Sequence, residues 1–92
     1  MDFSAFPGAD LVLQGLQDLG HRRLSVAALL VAIGTPRLRQ SGVAVPAVDV
    51  TAAEHRLYET LAREDANSAH SRYNALIRRL VRFEHACDAR TR

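Results

Sequence analysis

The amino-acid sequence predicts an all-α fold: a small bundle of four main helices and one short helical turn, with the last helix the longest. Along four segments of the 92-residue chain, apolar residues recur at intervals of three and four, the period of a helix with one buried face. Gly, Pro, Ser and Thr stand between these segments, at positions typical of helix ends. The one extended segment, residues 43–50, has no second strand to pair with, so we expect it to be a connector loop.

Length and composition indicate a single helical domain, residues 1–92. Two domains would each fall near the ~50 residues at which one hydrophobic core becomes marginal. Apolar residues make up 48% of the chain, and 25 of the 92 residues are Leu, Val, Ile or Phe, so the chain is expected to fold. Fifteen Ala and no Trp predict a thin core, and with it marginal stability or dependence on a partner.

The first third of the chain predicts an N-terminal arm and two helices. Residues 1–8 form the arm, and its Phe side chains are expected to dock on the core. Residues 9–19 have one apolar face, and Gly20 is expected to end this helix in the left-handed conformation. Ser25 is a favourable N-cap for a second helix, residues 26–33, which is apolar on all sides and therefore belongs in the middle of the bundle.

The segment Gly34-Thr35-Pro36 is expected to separate two helices. Gly ends one helix, Thr caps the next, and Pro takes the first helical position, where its missing N–H costs nothing. A short helix, residues 36–40, then ends at Ser41-Gly42. This helix is too short to act as the recognition helix of a helix-turn-helix motif.

Two further helices are predicted after the connector. Thr51 and Glu54 have the spacing of a capping box and open a helix that runs to about Glu64. The longest helix runs from Ala69 to about Ala89, and its apolar stripe approaches a coiled-coil seam. This helix-packing seam is expected to pack along an antiparallel helix of this chain or of a second copy. Its main residues are Tyr73, Leu76, Leu80 and Phe83.

The net charge of +2 is the sum of larger positive and negative charges on separate segments, which nearly cancel. All twelve basic residues are Arg, which indicates either a use of the guanidinium group for bidentate binding or a bias in genomic composition. Residues 1–19, 20–42, 43–67 and 68–92 carry −3, +4, −3 and +4 in turn. The alternation favours contacts between unlike segments, within the bundle or across a dimer, each worth only about 0–1 kcal/mol where exposed.

Arginines concentrate on two predicted surfaces. A basic face lies within an arc of about 120° on the last helix, and it indicates binding of an acidic protein partner or of nucleic-acid phosphates, unless it is an ordinary solvated face. The residues of the basic face are Arg72, Arg78, Arg79 and Arg82. A secondary basic rim indicates contact with an acidic partner, unless it is a structural turn whose arginines are solvated; it consists of Arg22, Arg23, Arg37 and Arg39.

Neither a metal site nor a cofactor site is expected. The four His are scattered, and the single cysteine, Cys87, lies on the apolar stripe as a core thiol. Two Arg–His pairs, Arg63 with His70 and Arg79 with His85, have a spacing that is loosely similar to the motif of HEPN-type helical ribonucleases. The similarity implies a His and an Arg acting on a ribose hydroxyl and its phosphate, and it covers no other part of the chain.

Together these features predict a cytoplasmic interaction module without catalytic activity. No secretory signal is expected, and the longest apolar run, residues 26–33, is far shorter than the ~20 residues that span a bilayer, so no membrane association is expected. We expect the protein to pair with another copy of itself, or with an acidic protein partner, through its long C-terminal helix. Nucleic-acid binding through the basic face is the alternative, and HEPN-like ribonuclease activity is the third hypothesis.

Overall fold

The described residues form four helices, an N-terminal arm and a connector loop. The computed structural model describes residues 3–91, with side chains up to residue 89. The helices are α1 (Ala9–Gly20), α2 (Val26–Gln40), α3 (Ala53–Glu64) and α4 (Ala69–Thr91). The predicted all-α class and the predicted long last helix are confirmed, and no strand occurs between residues 3 and 91.

The N-terminal arm docks on the core, as predicted. The rings of Phe3 and Phe6 lie 5.9 and 6.0 Å from the ring of Phe83, whose side chain is fully buried in α4. Gly8 has a φ of +77°, and a Cβ atom there would lie 2.8 Å from the backbone oxygen of Arg79. Only glycine therefore allows the arm to lie this close to α4.

The most extensive helix–helix contact joins α1 to α2. A Cβ atom on Gly15 would lie 2.3 Å from the carbonyl oxygen of Ala27 and 2.5 Å from Cγ2 of Val31. The two backbones thus meet at Gly15, between the fully buried side chains of Val12 and Leu19. α2 also contacts α3 and α4, so the apolar second helix lies in the middle of the bundle, as its sequence predicts.

α1 includes Gly20 as its last residue, so the predicted left-handed end at this glycine is wrong. The left-handed residue is Arg22, with a φ of 59°. The N–H of Arg22 donates to the carbonyl of Leu19 at 2.9 Å. The N–H of Arg23 donates to the carbonyl of Asp18 at 2.8 Å. The two bonds form a Schellman motif, which satisfies carbonyls at the end of α1 without a glycine in the left-handed position.

The carboxylate of Asp18 joins the end of α1 to the start of α2. It accepts hydrogen bonds from the Ser25 hydroxyl at 2.7 Å and from the Gln14 amide at 3.0 Å. Ser25 is the N-cap of α2, as predicted, because its oxygen accepts from the N–H of Ala28 at 3.1 Å. The hydrogen bond from Ser25 holds the pKa of Asp18 below its ordinary value of 3.8. One hydroxyl therefore both caps α2 and stabilises a charge on α1.

α2 runs through Gly34-Thr35-Pro36 without interruption, so the predicted helix break there is wrong and the predicted short helix is the last turn of α2. The Thr35 hydroxyl donates to the carbonyl of Val31 at 2.9 Å, within the helix, rather than capping a new one. Gly34 is buried, and a Cβ atom there would lie 3.0 Å from side-chain atoms of Leu80 and Glu84. Close packing against α4 accounts for the glycine, and tertiary contacts keep α2 continuous across the proline.

The end of α2 and the connector agree with the sequence. Gly42 takes the left-handed conformation, with a φ of +93°, and the N–H of Val43 donates to the carbonyl of Leu38 at 2.9 Å. Residues 43–50 then form the predicted loop. Arg39 donates hydrogen bonds to two carbonyls of this loop and so fixes it to the end of α2.

The start of α3 differs from the predicted capping box. Its N-cap is Ala52, which is left-handed with a φ of 55° and has no side-chain capping bond. Thr51 therefore lies one residue before the N-cap, and the box that it was expected to form with Glu54 is absent. Leu57 and Leu61 bury the inner face of α3.

None of the helices within residues 3–91 combines the length and the apolar character that a membrane span requires.

We predict that Gly15→Ala destabilises the protein by about 1–3 kcal/mol, because the added methyl group overlaps the backbone of α2. Gly20→Ala is the matched control: it lies in the same helix, and its Cβ would be 3.7 Å from Pro46, an ordinary van der Waals distance. Because alanine has a higher helix propensity than glycine, Gly20→Ala is expected to raise the free energy of unfolding by up to about 1 kcal/mol. Urea denaturation followed by circular dichroism measures both variants, and a neutral Gly15→Ala would contradict the close approach of α1 and α2.

We predict that Ser25→Ala destabilises the protein by about 1 kcal/mol at neutral pH through loss of the N-cap. Because folding depresses the pKa of Asp18, the charge of Asp18 contributes stability above its unfolded pKa, and that contribution is lost as the pH falls through the folded pKa. The difference between the wild type and Ser25→Ala should therefore shrink below about pH 4. Thermal denaturation at pH 7 and at acidic pH measures this difference. Thr51→Ala is the control: it removes no capping bond, so its stability should stay within about 0.5 kcal/mol of that of the wild type.

Candidate functional site

Intramolecular ion pairs engage half of the basic face. Arg72 donates to Glu64 of α3 at 2.9 Å, and Arg79 donates to Asp10 of α1 at 3.0 Å. The bond from Arg79 lowers the pKa of Asp10. The other two arginines of the face, Arg78 and Arg82, are exposed and form no ion pair with the side chains that the structure describes. A phosphate would therefore meet two free guanidinium groups on α4 rather than four.

The helix-packing seam packs within the chain. Leu80 and Phe83 are buried in the core, and Tyr73 and Leu76 are half-buried against it. The ring of Tyr73 also lies 5.7 Å from the ring of Tyr58 on α3, and burial raises the pKa of the Tyr73 hydroxyl. The inner stripe of α4 is thus already covered by the arm, α2 and α3.

The structure does not bring the secondary basic rim together. Arg22 and Arg23 precede α2, whereas Arg37 and Arg39 lie in its last turn, about 18 Å away along a continuous helix. Arg37 donates to Asp88 of α4 at 2.9 Å. The separation follows from the absence of a helix break, because a turn at residues 34–36 would have been needed to fold the two pairs towards each other.

A groove of about 270 Å³ lies between the second half of α2 and α4. The contact of α2 with α4 is less extensive than its contact with α1, so part of the flank of α4 beside α2 is uncovered. Val81, on this flank, exposes 37% of its surface. The apolar lining consists of Ile33, Pro36, Ile77, Leu80 and Val81.

The carboxyl group of Glu84 lines the same groove. The residue is only 6% exposed, yet it has no hydrogen bond or ion pair with any side chain described in the structure. Burial raises the pKa of Glu84 above its ordinary value of 4.5. No fully buried side-chain oxygen in the described part of the chain lacks a hydrogen-bond partner, so the Glu84 carboxyl oxygens keep some contact with solvent through the groove. The residue as a whole is nearly buried, which leaves its carboxyl group only partly hydrated.

Arg37, a cation close to Glu84, is engaged elsewhere. Arg37 donates to one carboxylate oxygen of Asp88, while the Ser41 hydroxyl donates to the other at 2.5 Å. A second hollow of about 330 Å³, lined by His85 and Asp88, adjoins the groove at Arg37. The groove thus presents an apolar wall, one unpaired carboxyl group and a neighbouring ion pair that is already satisfied.

Glu84 is not among the site residues that the sequence predicts. Two signals bear on it. Glu84 follows the buried Leu80 by one helical turn, so it adjoins the apolar stripe. Gly34 interrupts an otherwise apolar helix, and an isolated glycine in such a helix indicates close approach of another element. Neither signal identifies the pairing of α2 with α4, which brings the two residues together.

No group of three potential metal ligands occurs among the His, Cys, Asp and Glu residues within the described part of the chain. Cys87 is fully buried, and burial raises the pKa of its thiol, which disfavours the reactive thiolate.

The Arg–His pairs contact other residues. Arg63 lies 3.7 Å from Glu59 of its own helix, and the His70 ring lies 3.2 Å from the amide nitrogen of Asn74. In the second pair, the arginine bonds to α1 and the histidine lines the hollow beside α2. Ribonuclease activity through these pairs stays a prediction. Comparisons with protein-family models, with curated proteins and with solved structures find no match for this chain.

Proposed function

We propose that this protein is a small protein-interaction module without catalytic activity, and that it self-associates through α4 and the groove beside it. The single observation that supports this proposal is the groove itself. It combines an exposed Val81 with the buried, unpaired carboxyl group of Glu84 on one flank of α4. An apolar wall with one carboxyl group that faces the groove and has no side-chain partner is typical of a binding site.

The chemistry of the groove favours a protein over a nucleic acid. A phosphate approaching Glu84 would meet a carboxylate, and a base would meet aliphatic side chains without an exposed aromatic ring to stack on. An apolar side chain with a cationic end suits the same lining. The groove therefore favours binding of a polypeptide.

The dimensions of the molecule suit association along one side. Its Cα atoms extend over 40 × 24 × 18 Å. A side of about 40 by 24 Å is of the same order as the roughly 800 Å² that each partner buries in a standard protein–protein interface. A molecule of this size can therefore offer a second copy an interface of standard area.

Nucleic-acid binding is the second candidate function, and the free guanidinium groups of Arg78 and Arg82 favour it. It predicts an affinity that falls steeply with salt, because each neutralised phosphate releases counterions. An interface with an apolar centre is expected to tolerate salt much better.

We predict that the purified protein dimerises as its concentration rises from about 10 μM to about 1 mM, a range that covers weak association. Val81→Gln should raise the dimer dissociation constant about tenfold, because it removes the exposed apolar side chain at the groove. Leu13→Gln is the matched control: Leu13 is 39% exposed on α1, and its substitution should leave dimerisation unchanged.

Size exclusion with light scattering measures the mass in the same run as a 260/280 nm absorbance ratio. With two Tyr and no Trp, even a little bound nucleic acid would dominate that ratio. A monomeric protein with a high, salt-sensitive ratio would replace the proposed function with nucleic-acid binding. A protein that stays monomeric and free of nucleic acid would contradict both.

We also predict that Glu84→Gln stabilises the monomer by about 1 kcal/mol at pH 7, because the amide removes an unpaired buried charge. Arg37 of α2 and Asp88 and His85 of α4 are the charged or titratable groups that act on Glu84. Since folding raises the pKa of Glu84, its ionisation costs stability as the pH rises through the folded pKa. The gain in Glu84→Gln should therefore vanish below about pH 4, where Glu84 is protonated in both states.

Thermal denaturation across pH at low protein concentration tests this. Glu54→Gln is the control, because Glu54 is exposed in the first turn of α3 and its substitution should bring no gain. A Glu84→Gln variant that is less stable than the wild type at pH 7 would show that the carboxylate is satisfied within the monomer.

A further inference from the structure

We infer that the groove is a guanidinium-binding site, and that in a symmetric dimer the Glu84 carboxylate of each copy receives the Arg78 side chain of the other. The inference rests on the proposed function and deepens it by naming the occupant of the groove. It follows from two side chains of the same helix that have no ion pair with the described side chains: the carboxyl group of the nearly buried Glu84, which lines the groove, and the exposed guanidinium group of Arg78.

The Glu84 carboxylate requires a hydrogen-bond donor as its partner. An ionised carboxyl group only accepts hydrogen bonds, and Glu84 receives none from the described side chains. A guanidinium group supplies several N–H donors in a planar fork that matches a carboxylate. All twelve basic residues of the chain are Arg, so a second copy offers this group and no ammonium side chain.

The shape of the groove suits the rest of an arginine side chain. Its volume of about 270 Å³ is large enough for one extended side chain, and its walls are aliphatic at Ile77, Val81 and Pro36. The methylene stem of an arginine packs on such a surface while its charged end reaches a polar group. The groove thus fits the two chemically different parts of one residue.

The chain's own nearby arginine does not fill this role. The Arg37 guanidinium donates to Asp88 at 2.9 Å, and the hydrogen-bond geometry places no N–H of Arg37 on Glu84. Glu84 therefore stays unpaired even though a cation lies close by.

An antiparallel register centred on Val81 would bring Arg78 level with Glu84. Arg78 and Glu84 lie three residues before and three residues after Val81. If two α4 helices run antiparallel with the twofold axis at the level of Val81, Arg78 of one copy lies at the level of Glu84 of the other. A twofold axis repeats each contact, so one apolar centre would carry two identical ion pairs. Arg82 would instead lie at the level of Leu80.

The experiment is a double-mutant cycle on dimerisation, measured by sedimentation equilibrium. Arg78→Gln and Glu84→Gln should each raise the dissociation constant about tenfold, and the double variant should be no weaker than either single variant, because all three lack the same pair. Arg56→Gln, an exposed arginine of α3, is the control and should leave the constant unchanged. Additive losses in the double variant would overturn the pairing, as would coupling of Glu84 to Arg82 in place of Arg78.

A small probe tests the site without the dimer. We expect n-butylguanidinium to shift the methyl NMR signals of Ile77 and Val81 and to compete with dimerisation, whereas neutral n-butylurea should do neither. Glu84→Gln, which is expected to fold at least as stably as the wild type, should abolish the response to the cation.

The two proposals fail in different ways. A wild type that dimerises with the same constant as Glu84→Gln overturns this inference and leaves the proposed function standing. A wild type that stays monomeric overturns the proposed function and the assignment of Arg78. In that case saturable n-butylguanidinium binding that Glu84→Gln abolishes would still support the guanidinium site, and absence of binding would overturn it.

Discussion

The close approach of α4 to Gly34 of α2 is the contact on which the arrangement of the molecule depends. It requires α2 to stay helical through Gly34-Thr35-Pro36, because a break there would move the last turn of α2 away from α4. It also fixes the position of Glu84, whose carboxyl group lies against that glycine. The groove, the Arg37–Asp88 ion pair and the separation of the two arginine pairs at opposite ends of α2 all follow from this one contact.

The sequence predicts those parts of the fold that local chemistry decides. Ser25 caps α2 because its hydroxyl reaches an N–H three residues later, and Gly42 ends α2 because it tolerates the left-handed conformation. At Gly34-Thr35-Pro36 the same local rules predict a break, and they fail because burial against α1 and α4 outweighs the cost of one proline. The burial of Glu84 also depends on tertiary packing, so the sequence does not predict the candidate site. The sequence does single out α4, and the candidate site lies beside that helix.

The alternating charges of the chain are largely used within the monomer. The −3 segments supply Asp10 and Glu64, and the final +4 segment supplies Arg79 and Arg72, which bind them. Exposed pairs of this kind contribute little stability, so their main effect is to favour one packing arrangement over others. Among the Arg and Glu side chains of α4 that the structure describes, three have no ion pair after these contacts: Arg78, Arg82 and Glu84.

An unpaired acid at the edge of a thin core requires a physical explanation. A glutamine or an aliphatic residue at position 84 would pack against Gly34 without the cost of burying a charge, so monomer stability does not account for Glu84. A carboxylate becomes favourable there only when a cation completes it, and the surrounding aliphatic groups then strengthen the pair by excluding water. The same burial makes an incorrect partner unfavourable, because an apolar side chain in the groove would leave the carboxylate unsatisfied. In the proposed dimer, Glu84 would therefore contribute specificity to an interface centred on Val81, and this role would account for a carboxyl group at a position where an amide or an aliphatic side chain would suit the monomer better.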